Sequence, residues 1–229
     1  LPCSFEDETG WFADPDLVRL VIGLLEKDLL LEPGSLAERL GRVFASMLGV
    51  APPTLEVCCD GEIAGYDTRI VTLAALKGFF GLVSDEPVTY VNAPQLAKDH
   101  GVEVRETNCA TAVDFVNLIT VSGAGHSMSG AIVGRRGEQR IVLIDEHVFD
   151  LPPAANMLMV TNDDRPGVIG TVGTLLGNAG VNIADMDVGR AAEPGTAVML
   201  IAPTAVVPDD VIDALRHAPG IISVISLTG

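Results

Sequence analysis

Aromatic residues are scarce: 1 Trp, 2 Tyr and 7 Phe make up 4% of the 229 residues. A surface that stacks single-stranded bases needs a set of such rings, so that class of function has little to build on. Basic residues are scarce as well. The 14 Lys and Arg face 31 Asp and Glu, giving a formal net charge of −17, and nucleic acid and anionic membranes reward the opposite sign. Neither is expected as a partner. Cysteine is limited to Cys3, Cys58, Cys59 and Cys109, with no C-x-x-C pair. Cys58 and Cys59 are neighbours on an expected strand and point to opposite faces. The four read as free thiols in a reducing cytoplasm, not as a disulfide frame or a zinc site. The histidines, at 100, 126, 147 and 217, are dispersed without metal-ligand spacing, so no metal is expected. No apolar run approaches the ~20 residues that span a bilayer. The start carries Glu6, Asp7 and Glu8 in place of a basic signal region, and a cytoplasmic location is expected.

A nucleotide fold is also lacking. Gly167, Gly170 and Gly173 recur every third residue inside an expected helix, where they leave a smooth face for close packing. Dinucleotide binding needs another spacing and a strand-to-helix turn. No cofactor and no catalytic residue are expected in this chain.

What is present is a core. Hydrophobic residues make up 48% of the chain, enough for two modest domains of the α+β class. Residues 1–49 read as a tail and a helical hairpin. Asp14-Pro15-Asp16 opens a first helix bearing Leu17, Leu20, Val21, Leu24 and Leu25 at helical spacing, and Pro33-Gly34 ends it. Ser35 and Glu38 form a capping box for a second helix that buries Leu36, Leu40, Val43, Phe44 and Met47. Residues 50–150 read as an α+β effector-type domain. Strands are expected at 54–59, 88–91, 102–107, 115–121, 129–134 and 140–145, with helices at 67–80 and from Asn92 to about His100.

Residues 154–229 are the clearest part. A strand at 156–161, a helix from Pro166 at its first position to Asn178 and strands at 181–188 and 197–201 come first, with a turn at Ala192–Gly195 between the two strands. A helix at 208–217 and a strand at 221–226 complete β-α-β-β-α-β, the ferredoxin-like arrangement.

The stretch Thr161-Asn162-Asp163-Asp164-Arg165-Pro166-Gly167-Val168-Ile169-Gly170, followed by Gly180-Val181-Asn182-Ile183-Ala184, resembles an ACT domain of the kind that ends D-3-phosphoglycerate dehydrogenase. Upstream, Leu36-Ala37-Glu38-Arg39-Leu40-Gly41-Arg42, Leu73-Ala74-Ala75-Leu76-Lys77-Gly78 and Val88-Thr89-Tyr90-Val91-Asn92-Ala93-Pro94 resemble the intervening domain of the long form of that enzyme. The resemblance covers about residues 35–228; residues 1–34 match no pattern.

It implies a two-domain regulatory region that binds a small amino acid, L-serine in the dehydrogenase, and homo-oligomerises through its ACT domains. The motif is physically suited to that role. A helix opening at Pro166 leaves the N–H groups of Gly167, Val168 and Ile169 free to seat a carboxylate. Asp164 can accept from an α-ammonium, and Asn162 offers both a donor and an acceptor. In the family, the position of Asn182 reaches the ligand of a neighbouring subunit. The same residues would also serve simply to start a helix. The resemblance further implies an anion site lined by basic residues, for which Arg140 and Lys77 are candidates; the turn pair Arg135-Arg136 lies nearby, and Pro152 stands where some relatives place arginine.

Gly125-His126-Ser127-Met128-Ser129-Gly130 nearly spells the Gly-x-Ser-x-Gly nucleophile elbow, but position 129 is not glycine and no helix pattern follows Ser127. A turn between strands is expected instead. Three contexts stay open: the regulatory portion of a dehydrogenase whose catalytic domains precede it, a free-standing sensor, or a non-sensing oligomerisation module with a vestigial pocket.

Overall fold

The computed structural model describes Ser4–Phe5 and residues 31–190 and 195–229. The helix expected from Asp14 and the residues 192–194 of the expected turn lie outside the described residues. The chain divides into a first unit that ends at Ile141 and a second that runs from Val142 to Gly229.

In the first unit, helix α1 spans Leu31–Leu48 and α2 spans Arg69–Val83. Pro33-Gly34 therefore lies inside α1. Ser35 is accordingly inside the helix and does not cap it, and the Glu38 carboxylate goes elsewhere. It accepts from Lys77 Nζ of α2 at 2.8 Å. Leu36, Leu40, Val43 and Phe44 of α1 are buried, as are Leu73, Leu76 and Phe80 of α2. The two backbones approach closely through glycine: a Cβ on Gly41 would meet the Ala75 carbonyl oxygen, and one on Gly78 would meet that of Glu38.

The helices cover a sheet of β1 (Ser4–Phe5), β2 (Thr54–Gly61), β3 (Glu103–Cys109), β4 (Asn117–Gly123), β5 (His126–Val133) and β6 (Glu138–Ile144). The strand order is β1-β3-β2-β4-β5-β6, and the division between the units falls inside β6. Strands β2 and β3 are parallel, as a crossover through α2 and the short α3 (Ala93–Asp99) requires. No strand forms at 88–91. There Asn92 Oδ1 accepts from the Thr89 N–H at 2.6 Å, and Asn92 Nδ2 donates to the Pro87 carbonyl at 2.9 Å. These local bonds curl the segment into a turn and outcompete a ladder.

Strands β4 and β5 form a hairpin over Ala124 (φ 53°) and Gly125 (φ 81°), the two left-handed positions of a type I′ turn. Ser127 pairs opposite Ser122, and the Ser129 and Thr120 hydroxyls lie 2.8 Å apart. The Gly125–Gly130 stretch is thus a hairpin arm.

The second unit starts with the rest of β6 and with β7 (His147–Leu151), a strand not expected from the sequence. Phe149 of β7 is buried against Gly189, where a Cβ would come within 2.7 Å of the ring. Then follow β8 (Met157–Asn162), α4 (Val168–Asn178), β9 (Ile183–Arg190), β10 (Ala197–Pro203), α5 (Asp209–Arg216) and β11 (Ile221–Leu227). Their sheet has the order β11-β8-β10-β9, all neighbours antiparallel, which is the ferredoxin-like arrangement. Leu158, Val160 and Met199 from the sheet bury Val172 and Leu176 of α4 and Leu215 of α5.

Helix α4 ends in a Schellman motif: Gly180 takes φ 74°, its N–H donates to Gly177, and the Val181 N–H donates to Leu176 at 3.0 Å. Among the described residues, no heavy atom outside the neighbouring turns of the chain lies within 4 Å of a Cβ placed on Gly167, Gly170 or Gly173.

Candidate functional site

Strand β8 delivers Asn162 to the end of the sheet, and the chain then turns through Asp163–Gly167 into α4. Asn162 is 4% exposed. Its Nδ2 donates to the Ala197 carbonyl of β10 at 3.0 Å, and its Oδ1 accepts from the Asp164 N–H at 3.0 Å. One partner is a pure acceptor and the other a pure donor, so only one orientation of the amide satisfies both.

Asp163 donates its N–H to the Gly220 carbonyl at 3.0 Å, and its carboxylate pairs with Arg165. The guanidinium hydrogen bond holds the Asp163 carboxyl below the usual range. Gly220 has φ 88°, and a Cβ there would come within 2.8 Å of Asp163 Oδ1. The loop is therefore fastened on both sides, to β10 and to the start of β11. Asp164, exposed, takes φ 48°, a left-handed conformation that Asp tolerates better than most residues.

Helix α4 begins at Val168, two residues later than expected. Gly167 is its N-cap at φ 97°, a conformation incompatible with helix, so Pro166-Gly167 is a turn. The first-turn N–H groups are consequently those of Val168, Ile169 and Gly170. Val168 donates weakly to the Arg165 carbonyl at 3.4 Å, and the Gly167 carbonyl accepts from the Thr171 N–H at 3.0 Å. Gly170 thus joins Val168 and Ile169 among the first-turn donors, with Gly167 as the N-cap beside them. The signal for this was the Pro-Gly pair itself, since a glycine after proline readily takes a left-handed turn position.

Asn182 immediately precedes β9. It is exposed, and its carbonyl accepts from the Thr204 N–H at 2.9 Å. The register places it far from the loop. Ala197 pairs with Asn162 and with Arg190, whereas Ile183 pairs with Pro203 at the other end of β10. Six strand steps at about 3.3 Å each separate the two ends by about 20 Å. One protomer brings together Asn162, Asp164 and the α4 N-terminus; it does not bring Asn182 to them.

The candidate anion residues lie on different elements. Lys77 of α2 bonds Glu38 and stands 4.8 Å over the Tyr90 ring. Arg42 reaches the other Glu38 oxygen at 3.4 Å, and burial pushes the Tyr90 hydroxyl up. Arg140 of β6 donates to Glu138 at 2.6 Å. Arg135 and Arg136 are exposed in the β5–β6 turn. The buried Cys59 thiol is pushed far up, chiefly by desolvation. Among the described residues, no group of three or more His, Cys, Asp or Glu could hold a metal ion, and no helix is long and apolar enough to cross a membrane.

Residues 34–145 match the model of the D-3-phosphoglycerate dehydrogenase intervening domain, and residues 156–220 match that of the ACT domain. A Synechocystis D-3-phosphoglycerate dehydrogenase is 36% identical over 191 residues, covering 81% of this chain and 34% of the relative. The Mycobacterium tuberculosis enzyme of the same name is 34% identical over 210 residues, covering 89% of this chain and 39% of its own length. This chain thus spans little more than a third of these relatives. A solved ACT domain from the GTP pyrophosphokinase of Chlorobium tepidum aligns over 31% of this chain and 95% of its own, at 18% identity and a TM-score of 0.27. With the ferredoxin-like order of the second unit, the two family matches assign the chain: it is a D-3-phosphoglycerate dehydrogenase intervening domain followed by an ACT domain, the regulatory, ACT-containing portion of that family.

Proposed function

We propose that the chain binds a small α-amino acid, with L-serine the first candidate, and converts that binding into a change of assembly. The observation that carries the reading is the Asp163–Gly167 loop, in which the exposed Asp164 stands four residues before Val168, the first residue of α4 with its first-turn N–H groups. A carboxylate faces an ammonium, and helix N–H groups face an α-carboxylate, so the pair complements a zwitterion. Asn182, about 20 Å away in the same protomer, would come from a neighbouring subunit, and the ligand would then bridge two ACT domains of a homo-oligomer. Buried at such a seam, a fully hydrogen-bonded zwitterion favours one packing over another, with coupling of about 1–3 kcal/mol.

The relatives are named as dehydrogenases, and the natural setting of this reading is regulation of catalytic dehydrogenase domains in serine biosynthesis, in the cytoplasm. An anion site using Arg140 and Lys77 is a further element; each residue would have to leave its present carboxylate, Glu138 or Glu38, for the anion. Sedimentation velocity of the chain with and without L-serine tests the coupling. A ligand-dependent shift in the oligomer distribution is expected. An unchanged distribution across amino acids would favour the oligomerisation module with a vestigial pocket.

A further inference from the structure

We infer that Asn162 is a positioning residue of the amino-acid seat, acting on the ligand through Asp164 without touching it; this rests on the sensing reading above. The sequence motif alone makes Asn162 a natural ligand contact, since it ends a strand at the mouth of the loop. The structure turns it inward. At 4% exposure it has no surface to offer a ligand, and both ends of its amide are engaged within the fold. Those two bonds link the backbone of β10 to the backbone of Asp164.

The consequence lies at Asp164. Its left-handed backbone is unusual for a residue with a side chain, and the bond from its N–H to Asn162 Oδ1 helps to hold it there. Rotation of that peptide would redirect the Asp164 side chain relative to the α4 N-terminus. Asn162 therefore sets where the ligand's ammonium is received and reads nothing of its side chain. Every amino acid that fits the seat should feel its loss equally.

The test is calorimetric titration of the whole chain with glycine, L-alanine and L-serine, comparing wild type, Asn162→Ala, Asp164→Asn and the double variant. Asn162→Ala should weaken all three ligands by one common factor of about tenfold, and by less than about twofold once Asp164→Asn is present. Asn162→Asp keeps an acceptor for the Asp164 N–H and should bind better than Asn162→Ala. A loss confined to serine, an undiminished loss in the Asp164→Asn background, or an Asn162→Asp variant no better than alanine would each overturn the inference. Absence of binding by the wild type to all three would overturn the sensing reading instead.

Discussion

Asn162 and Asn182 flank opposite ends of β10, with Ala197 beside the first and the Pro203–Thr204 end beside the second. Both belong to the ACT motif, yet a single ligand a few ångströms across cannot touch the neighbourhoods of both in one protomer.

That separation makes subunit complementation a direct prediction. Asp164→Ala and Asn182→Ala should each abolish amino-acid binding when alone. Mixed and reassembled, the two variants should recover binding at half the sites of every heterodimer, because one of its two seams joins the intact Asp164 of one chain to the intact Asn182 of the other. Stoichiometry from calorimetry reads this out, and no recovery would contradict a shared site.

The glycine crossing of α1 and α2 predicts a stability effect. Gly41→Ala or Gly78→Ala forces a methyl group against a facing backbone carbonyl, which cannot move as a side-chain tip can. A loss of about 3 kcal/mol is expected, the upper end for overpacking, seen as a lower urea midpoint.

Gly189→Ala should act in the same sense on the second unit, by driving a methyl into the buried Phe149 ring and toward His147 Cβ, 3.0 Å away. About 1–3 kcal/mol is expected. The additional change Phe149→Leu should return part of it, which a thermal-melt comparison of single and double variants would detect.

Acid should weaken the first unit partly through Asp67. Its carboxylate accepts from Arg69 Nε at 2.8 Å, and these hydrogen bonds hold its pKa below the usual carboxylate value. A carboxyl with a lowered folded pKa adds stability above its unfolded pKa of about 3.9, and that stability is lost as pH falls through the folded value. The group is partly exposed, so the contribution is below about 1 kcal/mol. Asp67→Asn should therefore flatten the fall of the urea midpoint below about pH 4; an identical fall in both proteins would contradict the assignment.

The sequence made the β-α-β-β-α-β order and most helices legible because they rest on local signals: apolar periodicity and the helix-closing glycine at 180. What it hid depended on competition or on distance. Val88–Val91 looks like a strand until Asn92 captures Thr89 and Pro87. Pro166 looks like a first helical residue until Gly167 takes a left-handed conformation. Strand β7 was missed because its Phe149 finds burial against Gly189, forty residues away, and no local pattern announces it. The motif located the loop of the candidate site, but the inward turn of Asn162 follows from its partner on β10, which periodicity does not reveal.

Whether the Asp163–Gly167 loop seats a small amino acid is decided by titration calorimetry of the purified chain with L-serine, with glycine and D-serine as controls and Asp164→Ala beside it. Saturable binding of L-serine, in the micromolar-to-millimolar range, is expected and should disappear in Asp164→Ala. Binding of L-serine undiminished in Asp164→Ala would place the ligand elsewhere, and no heat with any amino acid would contradict the account.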